Sequence, residues 1–422
     1  MDKKHLFEKL DSHVFVTKLA GFEHTEYIQP NATHSKMRTS DIPMVQGKNI
    51  RNGVFVKEYE WFISEKISNS LPRSILNKVC ILVPYVGSNL GEVGIFYNHE
   101  RCHLASNIAK IELIDAEYDI EYVKYYLQSP IGQKYLFKEK QGSSQPNITM
   151  QSIRDTLIIK RPIQEQRAIA QVLLSLDKKI ECNNRINDNL QHQLKLMYDY
   201  WFTQFDFPDE NGKPYRSSGG AMVWNEQLKR NIPAGWTVDN LYAVADYING
   251  LACQNYRPDD DEHKLPVIKI TEMHNGITNS TEFVRDDIPE KYIIENGDIL
   301  FSWSATLETM LWYGGRGGLN QHIFKVVPKA PKYFAYSQLS SYIINFKAIA
   351  EARKTTMGHI TTDHMEQSRI AIPPTIVQDA FNRQVTPLYE QLANNCKESL
   401  RLQALRDWLL PMLMNGQATI AD

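Results

Sequence analysis

The chain has 422 residues, enough for two or three domains that each bury a core, and its 42% hydrophobic and 23% charged content is that of a globular protein. No stretch approaches the roughly eighteen apolar residues of a membrane span, and a formal net charge of −2 excludes a polybasic or polyacidic chain. Five scattered cysteines without a CxxC pair argue against a structural zinc site and for a reducing, cytoplasmic setting.

In chain order, Ile42-Pro43-Met44-Val45 followed by Asn52-Gly53 predicts a strand and a turn, and Val79 to Val83 a buried strand. Gly87 to Gly94 is glycine-rich but lacks GxGxxG spacing, so it is expected to be an ordinary loop. Asp119 to Phe137 carries an aromatic stripe at helical spacing, expected in the core. Residues 124–179 hold ten Lys/Arg against four Asp/Glu, a local balance of +6.

From Ile163 to Phe202 the apolar residues step by three and four, which predicts a long helix with a coiled-coil seam. Leu173, Leu176, Ile180, Leu190 and Leu194 fall on it, and Asn183 and Asn187 interrupt it. The chain then leaves through Asp206 to Pro214 and Ser217 to Gly220, a stretch dense in turn residues that marks a domain boundary.

Everything then returns. Shifted by 212 residues, Asn147-Ile148-Thr149 meets His359-Ile360-Thr361, Pro162 meets Pro374, and Gln166 meets Gln378. Leu265 to Ile268 with Asn275-Gly276 matches the first strand and turn at 223, Ile299 to Phe301 matches Ile81 to Val83 at 218, and Ile323 to Val326 matches Ile108 to Ile111 at 215. Residues 325–369 carry a balance of +4, whereas 206–298 carry −8. A second seam runs through Val385, Leu388, Leu392, Asn395, Leu402 and Leu409, with Arg406 as a misfit that suggests a drift toward Leu405. Pro373-Pro374 before Thr375, with Gln378 three residues on, predicts a capping box; the helix is expected to stop near Pro411, with Asn415-Gly416 as punctuation. A repeat of half the chain is one unit duplicated and fused.

Enzyme chemistry is hard to place. The sequence has no Asn-Pro-Pro-Tyr or Asp-Pro-Pro-Tyr loop and no Walker A lysine. Asp259, Glu262, His263 and Lys264 superficially suggest a nuclease set, but they crowd into one acidic loop. No metal-ligand or catalytic set is predicted.

Pro162-Ile163-Gln164-Glu165-Gln166-Arg167, the stretches Tyr198 to Pro214 and Trp224 to Trp236, and the ending Leu409 to Gly416 resemble the DNA specificity subunit of type I restriction-modification systems. The resemblance covers essentially the whole chain. It implies two α/β (α+β) target recognition domains, duplicated, at residues 1–160 and 206–372. They would be joined by conserved helical regions at 161–205 and 373–422, as two long antiparallel coiled-coil helices with pseudo-two-fold symmetry. It implies a non-catalytic subunit that reads a bipartite, interrupted sequence in double-stranded DNA. Two methyltransferase subunits would carry S-adenosylmethionine, with restriction or translocase subunits as further partners; this chain itself would hold no cofactor and touch no membrane. The alternative is a self-contained nuclease or methyltransferase with an unrecognised site.

Within the first reading, base contacts are expected from polar loops facing the duplex. In the first domain these are Lys48, Asn49, Arg51 and Asn52, with Ser143, Ser144, Gln145 and Asn147. In the second they are Lys269, Thr271, His274 and Asn275, with Thr355, Thr356 and His359. Lys134, Lys138, Lys140 and Arg154, in the basic segment, are expected near phosphates.

Overall fold

The duplication read from offsets reappears as a duplication of sheet topology. The computed structural model describes residues 7–98, 100–138, 147–259, 263–278, 280–352 and 360–420. It divides into one unit of residues 1–179 and 402–422 and another of residues 180–401.

In the first unit Val14–Lys18, Ile108–Leu113, Cys80–Pro84 and Gly94–Phe96 lie side by side as an antiparallel sheet. A second sheet pairs Ile42–Val45 in parallel with Cys102–Leu104, flanked by Phe62–Ile63 and Ile75–Leu76. The other unit repeats both orders. Ala245–Asn249, Ile323–Pro328, Ile299–Ser302 and Glu308–Leu311 form its first sheet. Lys264–Ile268 runs parallel to Gly317–Leu319, between Phe283–Arg285 and Ile293–Ile294, in its second. A parallel pair cannot be joined by a tight hairpin, so each unit needs a long crossover connection, and that connection carries the candidate loops.

Buried chemistry repeats as well. Lys110 is 4% exposed, donates to the Ile75 carbonyl at 3.0 Å and pairs with Glu112 at 2.9 Å. Its equivalent, Lys325, donates to the Ile293 carbonyl at 2.8 Å and pairs with Asp298 at 2.8 Å. An ammonium withdrawn from water is tolerated only when it is paired and hydrogen-bonded, and each lysine meets the equivalent carbonyl while drawing its carboxylate from a different position, Glu112 in one unit and Asp298 in the other. The aromatic stripe is core as expected: Tyr122, Tyr125 and Tyr126 are fully buried on the helix Ile120–Gln128, and the stretch breaks at Ser129 before a second helix, Pro130–Leu136.

The long helices are α1 (Ile163–Tyr198), continued by a wider turn over Asp199–Thr203, and α2 (Thr375–Asn415). In the first unit Ile169, Ala170 and Leu173 of α1 join Leu413 and Met414 of α2 in the core around the tyrosines. Gln166 is fully buried; its amide donates to the Glu117 and Arg161 carbonyls at 2.8 and 2.9 Å and accepts from the Asp119 N–H at 2.9 Å. Gln378 makes the corresponding bond to the Pro373 carbonyl at 2.8 Å. The capping-box expectation is therefore corrected: Thr375 already lies in the first turn, and Gln378 reaches past it. The helix also runs through Pro411, ending at Asn415 with Gly416 at φ +80°, the left-handed cap that glycine supplies.

Arg406 stays on the seam, and Leu405 beside it is 41% exposed. The expected drift does not occur because Asp177 of α1 lies opposite, 2.9 Å from Arg406, and also accepts from the Tyr125 hydroxyl at 2.6 Å and Lys124 at 3.5 Å. In the other unit the seam is asparagine-rich. Asn183 donates to Glu398 at 2.8 Å, and Asn395 donates to the Asn187 side-chain oxygen at 2.9 Å. Partners that descend along α2 as α1 ascends define an antiparallel pair. A buried seam amide that finds its partner across the helix pair fixes register, at a cost in stability. Replacing Asn187 and Asn395 together by leucine should raise the denaturation midpoint of this unit and loosen its register, which disulfide trapping at shifted positions would report.

His103, on the parallel strand, is fully buried; its Nδ1 sits 3.2 Å from the Ser68 hydroxyl, and its Nε2 has no hydrogen-bond partner among the described residues. Burial, with Arg101 and Lys110 nearby, pushes its pKa down to about 4. An unfolded histidine titrates near 6.5, so between about 4 and 6.5 the unfolded chain binds the extra proton. Stability should therefore be complete above pH 6.5 and fall by about 3 kcal/mol as pH drops to 4. Denaturant titrations across that window should show the slope in the native chain and lose it in His103→Leu.

Candidate nucleic-acid interface

The crossover connection of the first unit begins with Val45. Gln46 donates its N–H to the Asn49 side chain at 2.8 Å, and the Asn49 amide donates to the Val56 and Glu58 carbonyls at 2.9 and 2.8 Å. Asn49 is 1% exposed, so it shapes the loop and offers nothing to a base; its place among the expected base contacts is corrected on that ground. Glu272, at the equivalent position, accepts from the Lys269 N–H at 3.1 Å and is 5% exposed. Beyond this shared brace the loops differ. Ile50–Arg51 and Val54–Phe55 form a hairpin whose turn residues, Asn52 and Gly53, both have positive φ, as a primed two-residue turn requires. In the second unit the same stretch is a short helix, Ile270–Asn275, ended by Gly276 at φ +71°. The expected second Asn-Gly turn is thus a helix terminus.

The side chains left outward are Arg51 and Asn52 on one loop, and Thr271, His274 and Asn275 on the other, with Lys48 and Lys269 half-buried beside them. Several are held by acids: Lys48 by Glu60, Arg51 by Glu58 at 2.9 Å, Lys269 by Glu282 at 2.7 Å, and His274 lies 3.0 Å from Glu308. Such ion pairs near the surface are weak and exchangeable.

The Gly87 to Gly94 loop, expected to be ordinary, joins the first candidate set to the second. Asn89 donates to the Ile50 carbonyl at 2.7 Å, Gln133 donates to the Gly91 carbonyl at 3.0 Å, and the Ile148 N–H donates to the Tyr85 carbonyl at 3.0 Å. These bonds tie three segments of the first unit to the same loop: the one that carries Lys48, Arg51 and Asn52, the one that carries the exposed Lys134 and Lys138, and the one that carries Asn147. The other unit repeats the last link, with the Ile360 N–H on the Trp303 carbonyl at 3.0 Å. Lys140, Ser143, Ser144, Gln145, Thr355, Thr356 and His359 lie outside the described residues. No sequence signal marked Asn89 or Gln133, because they act through backbone carbonyls brought close only by the fold.

Charge balance overstated the basic surface. Lys124 is buried against Asp177, Lys160 bridges Glu8 and Glu117, and Arg161 is buried against Glu165 and the Leu413 carbonyl. Arg154, expected at a phosphate, donates to the Val16 carbonyl at 2.9 Å and lies 3.6 Å from Asp11. In the second basic stretch Lys325 is internal and Lys329 pairs with Asp246 at 2.6 Å. Glu8, His13 and Glu117 converge closely enough to suggest a cation site, but the Lys160 ammonium lies 3.3 and 2.9 Å from the two glutamates and supplies the positive charge there.

The duplicated fold with its paired reader-like loops has counterparts. The model of the type I restriction modification DNA specificity domain matches the chain twice, over residues 29–192 and 233–401. The chain belongs to this family. It is 23% identical over 406 residues to the MjaIX type I restriction enzyme specificity subunit of Methanocaldococcus jannaschii, covering 90% of this chain and 88% of that one. Against the HindI specificity subunit of Haemophilus influenzae it is 22% identical over 340 residues, covering 67% and 73%. The crystal structure of a type I restriction-modification system S subunit from M. genitalium shares the fold, with a TM-score of 0.53 at 15% identity, covering 98% and 97% of the two chains. As a member of the specificity family this chain is a non-catalytic DNA-recognition subunit. Among the described residues no helix is long and apolar enough to cross a membrane.

Proposed function

We propose that this specificity subunit reads a bipartite, interrupted duplex sequence, one half with each unit, and brings two methyltransferase subunits carrying S-adenosylmethionine to it in the cytoplasm. Restriction or translocase subunits join the same assembly. The observation that carries this reading is the pairing of a shared brace with divergent side chains. Asn49 and Glu272 hold the same loop position, while Lys48 and Arg51 in one unit correspond to Thr271 and His274 in the other. Two readers of different half-sites need this combination of a common scaffold with different hydrogen-bonding edges. A self-contained nuclease or methyltransferase is not favoured by the family.

Arg51, Asn52, Thr271, His274 and Asn275 are the proposed base readers, and Lys134 and Lys138, with Lys140, the proposed phosphate contacts. Neutralising one true phosphate contact, as in Lys134→Ala, should weaken binding to all sequences and reduce the salt slope of log K by about 1. Arg51→Ala should instead relax one base position at an unchanged slope. Fluorescence anisotropy of the complete methyltransferase complex on cognate and scrambled duplexes, over a salt series, measures both. A lysine variant that changes sequence preference would reassign that lysine to base reading.

A further inference from the structure

The registers place Glu92 and Glu308 at the same point of the fold. Ile81 pairs with Ile95 as Ile299 pairs with Leu311, so each glutamate sits three residues before an equivalent partner. Each reaches the candidate loop of its own unit. Glu92 accepts the Gly53 N–H at 2.9 Å, at the second residue of the primed turn. Gly53 has φ +75°, and a Cβ there would lie 2.3 Å from the Gln128 amide, so this turn has little freedom to reseat itself. Glu308 lies 3.0 Å from His274 Nε2, and its Oε1 is buried with no hydrogen-bond donor aligned on it among the described residues. Burial pushes the Glu308 carboxyl up, against the opposing pull of His274 and Lys347. Both groups line a cavity of about 910 Å³ in the second unit, which His192 and Lys195 of α1 also line.

We infer that Glu92 and Glu308 are equivalent positioning residues, each setting the pose of its unit's base-reading loop: Glu92 through the turn backbone, Glu308 through the side chain of His274. The inference rests on the loops being readers, as proposed above. The same carboxylate position is kept in both units while its target differs, backbone in one and imidazole in the other. Glu92 is therefore neutral to which side chain Arg51 presents, whereas Glu308 acts on a reader directly. Removing either should blur one half-site and spare the other, since the loop each carboxylate holds belongs to its own unit.

The test uses the full complex of this chain with its methyltransferase subunit and maps methylated bases genome-wide. Glu92→Ala should lower discrimination at one or more base pairs of one half-site by about tenfold, and Glu308→Ala should do so in the other half. Glu92→Gln, which keeps an acceptor for the Gly53 N–H, should restore the native pattern; a role in stability alone would shift thermal melting without moving the sequence preference. Arg51→Ala and His274→Ala separate the two claims. If those variants blur their half-sites while Glu92→Ala and Glu308→Ala leave both sharp, the positioning role is wrong and the readers stand. If Arg51→Ala and His274→Ala change nothing, the loops are not readers and both claims fall.

Discussion

Exchanging residues 180–401 for the corresponding unit of another family member will replace one half of the methylated sequence and leave the other half unchanged. The cut points follow from the packing. Within this unit Trp201 and Phe202 of the α1 extension pack with Phe381 of α2, at ring separations of 5.5 and 4.8 Å, and Phe202 meets Phe334 and Trp236. Tyr198 also donates to Gln338 at 2.7 Å. An exchange limited to residues 206–372, the boundaries suggested by the turn-rich stretch, would cut through this cluster and leave mismatched aromatic faces. Truncating or mismatching one such buried ring costs about 3 to 5 kcal/mol. Junctions at 179/180 and 401/402 fall inside the helices, between seam positions, so a donor in the same phase keeps the three-four step. Mapping methylated bases in cells carrying the chimera checks the outcome. A change in both halves together would contradict independent reading.

The second large effect is on stability. Asp177→Ala should destabilise the first unit by about 3 kcal/mol, the cost of leaving the buried Lys124 ammonium without its counter-ion. Lys124 is 5% exposed and already has its pKa lowered by burial, with Asp177 as its opposing partner; Tyr125 and Arg406 lose the same acceptor. Arg406→Met should cost less, because Lys124 and Tyr125 still satisfy the carboxylate. The order of the two midpoints in denaturant titration is the check. An Arg406→Met chain less stable than Asp177→Ala would assign the energy to the α1–α2 pair instead of the Lys124 site.

Much of the architecture was legible because the signals are periodic and occur twice. The seam, the strand offsets and the shared Pro-x-x-x-Gln motif before each long helix depend on spacing, which survives divergence of the individual side chains. Local structure was less legible where tertiary contacts decide it. Asn-Gly is a primed turn after Arg51 and a helix terminus after His274, because the preceding residues pair as a hairpin in one unit and coil in the other. Pro411 does not stop α2, whose flanking residues Leu409, Leu410 and Leu413 are held in the core of the first unit. Charge counting failed for a related reason. A lysine in a row of lysines looks exposed in sequence, yet Lys124 and Lys160 are spent on carboxylates distant along the chain, and Arg161 on Glu165 and the Leu413 carbonyl. The loop glutamates were invisible for the same cause: their partners lie 39 and 34 residues away, as Gly53 and His274.

The most direct test of the account is base-resolution mapping of methylation in a host that otherwise lacks it, expressing this chain alone, the methyltransferase subunit alone, or both. The account predicts no methylation from either polypeptide alone and, from the pair, methylation confined to a single two-part sequence with an unread gap. Methyl transfer by this chain alone, or a continuous recognition sequence from the pair, would contradict it.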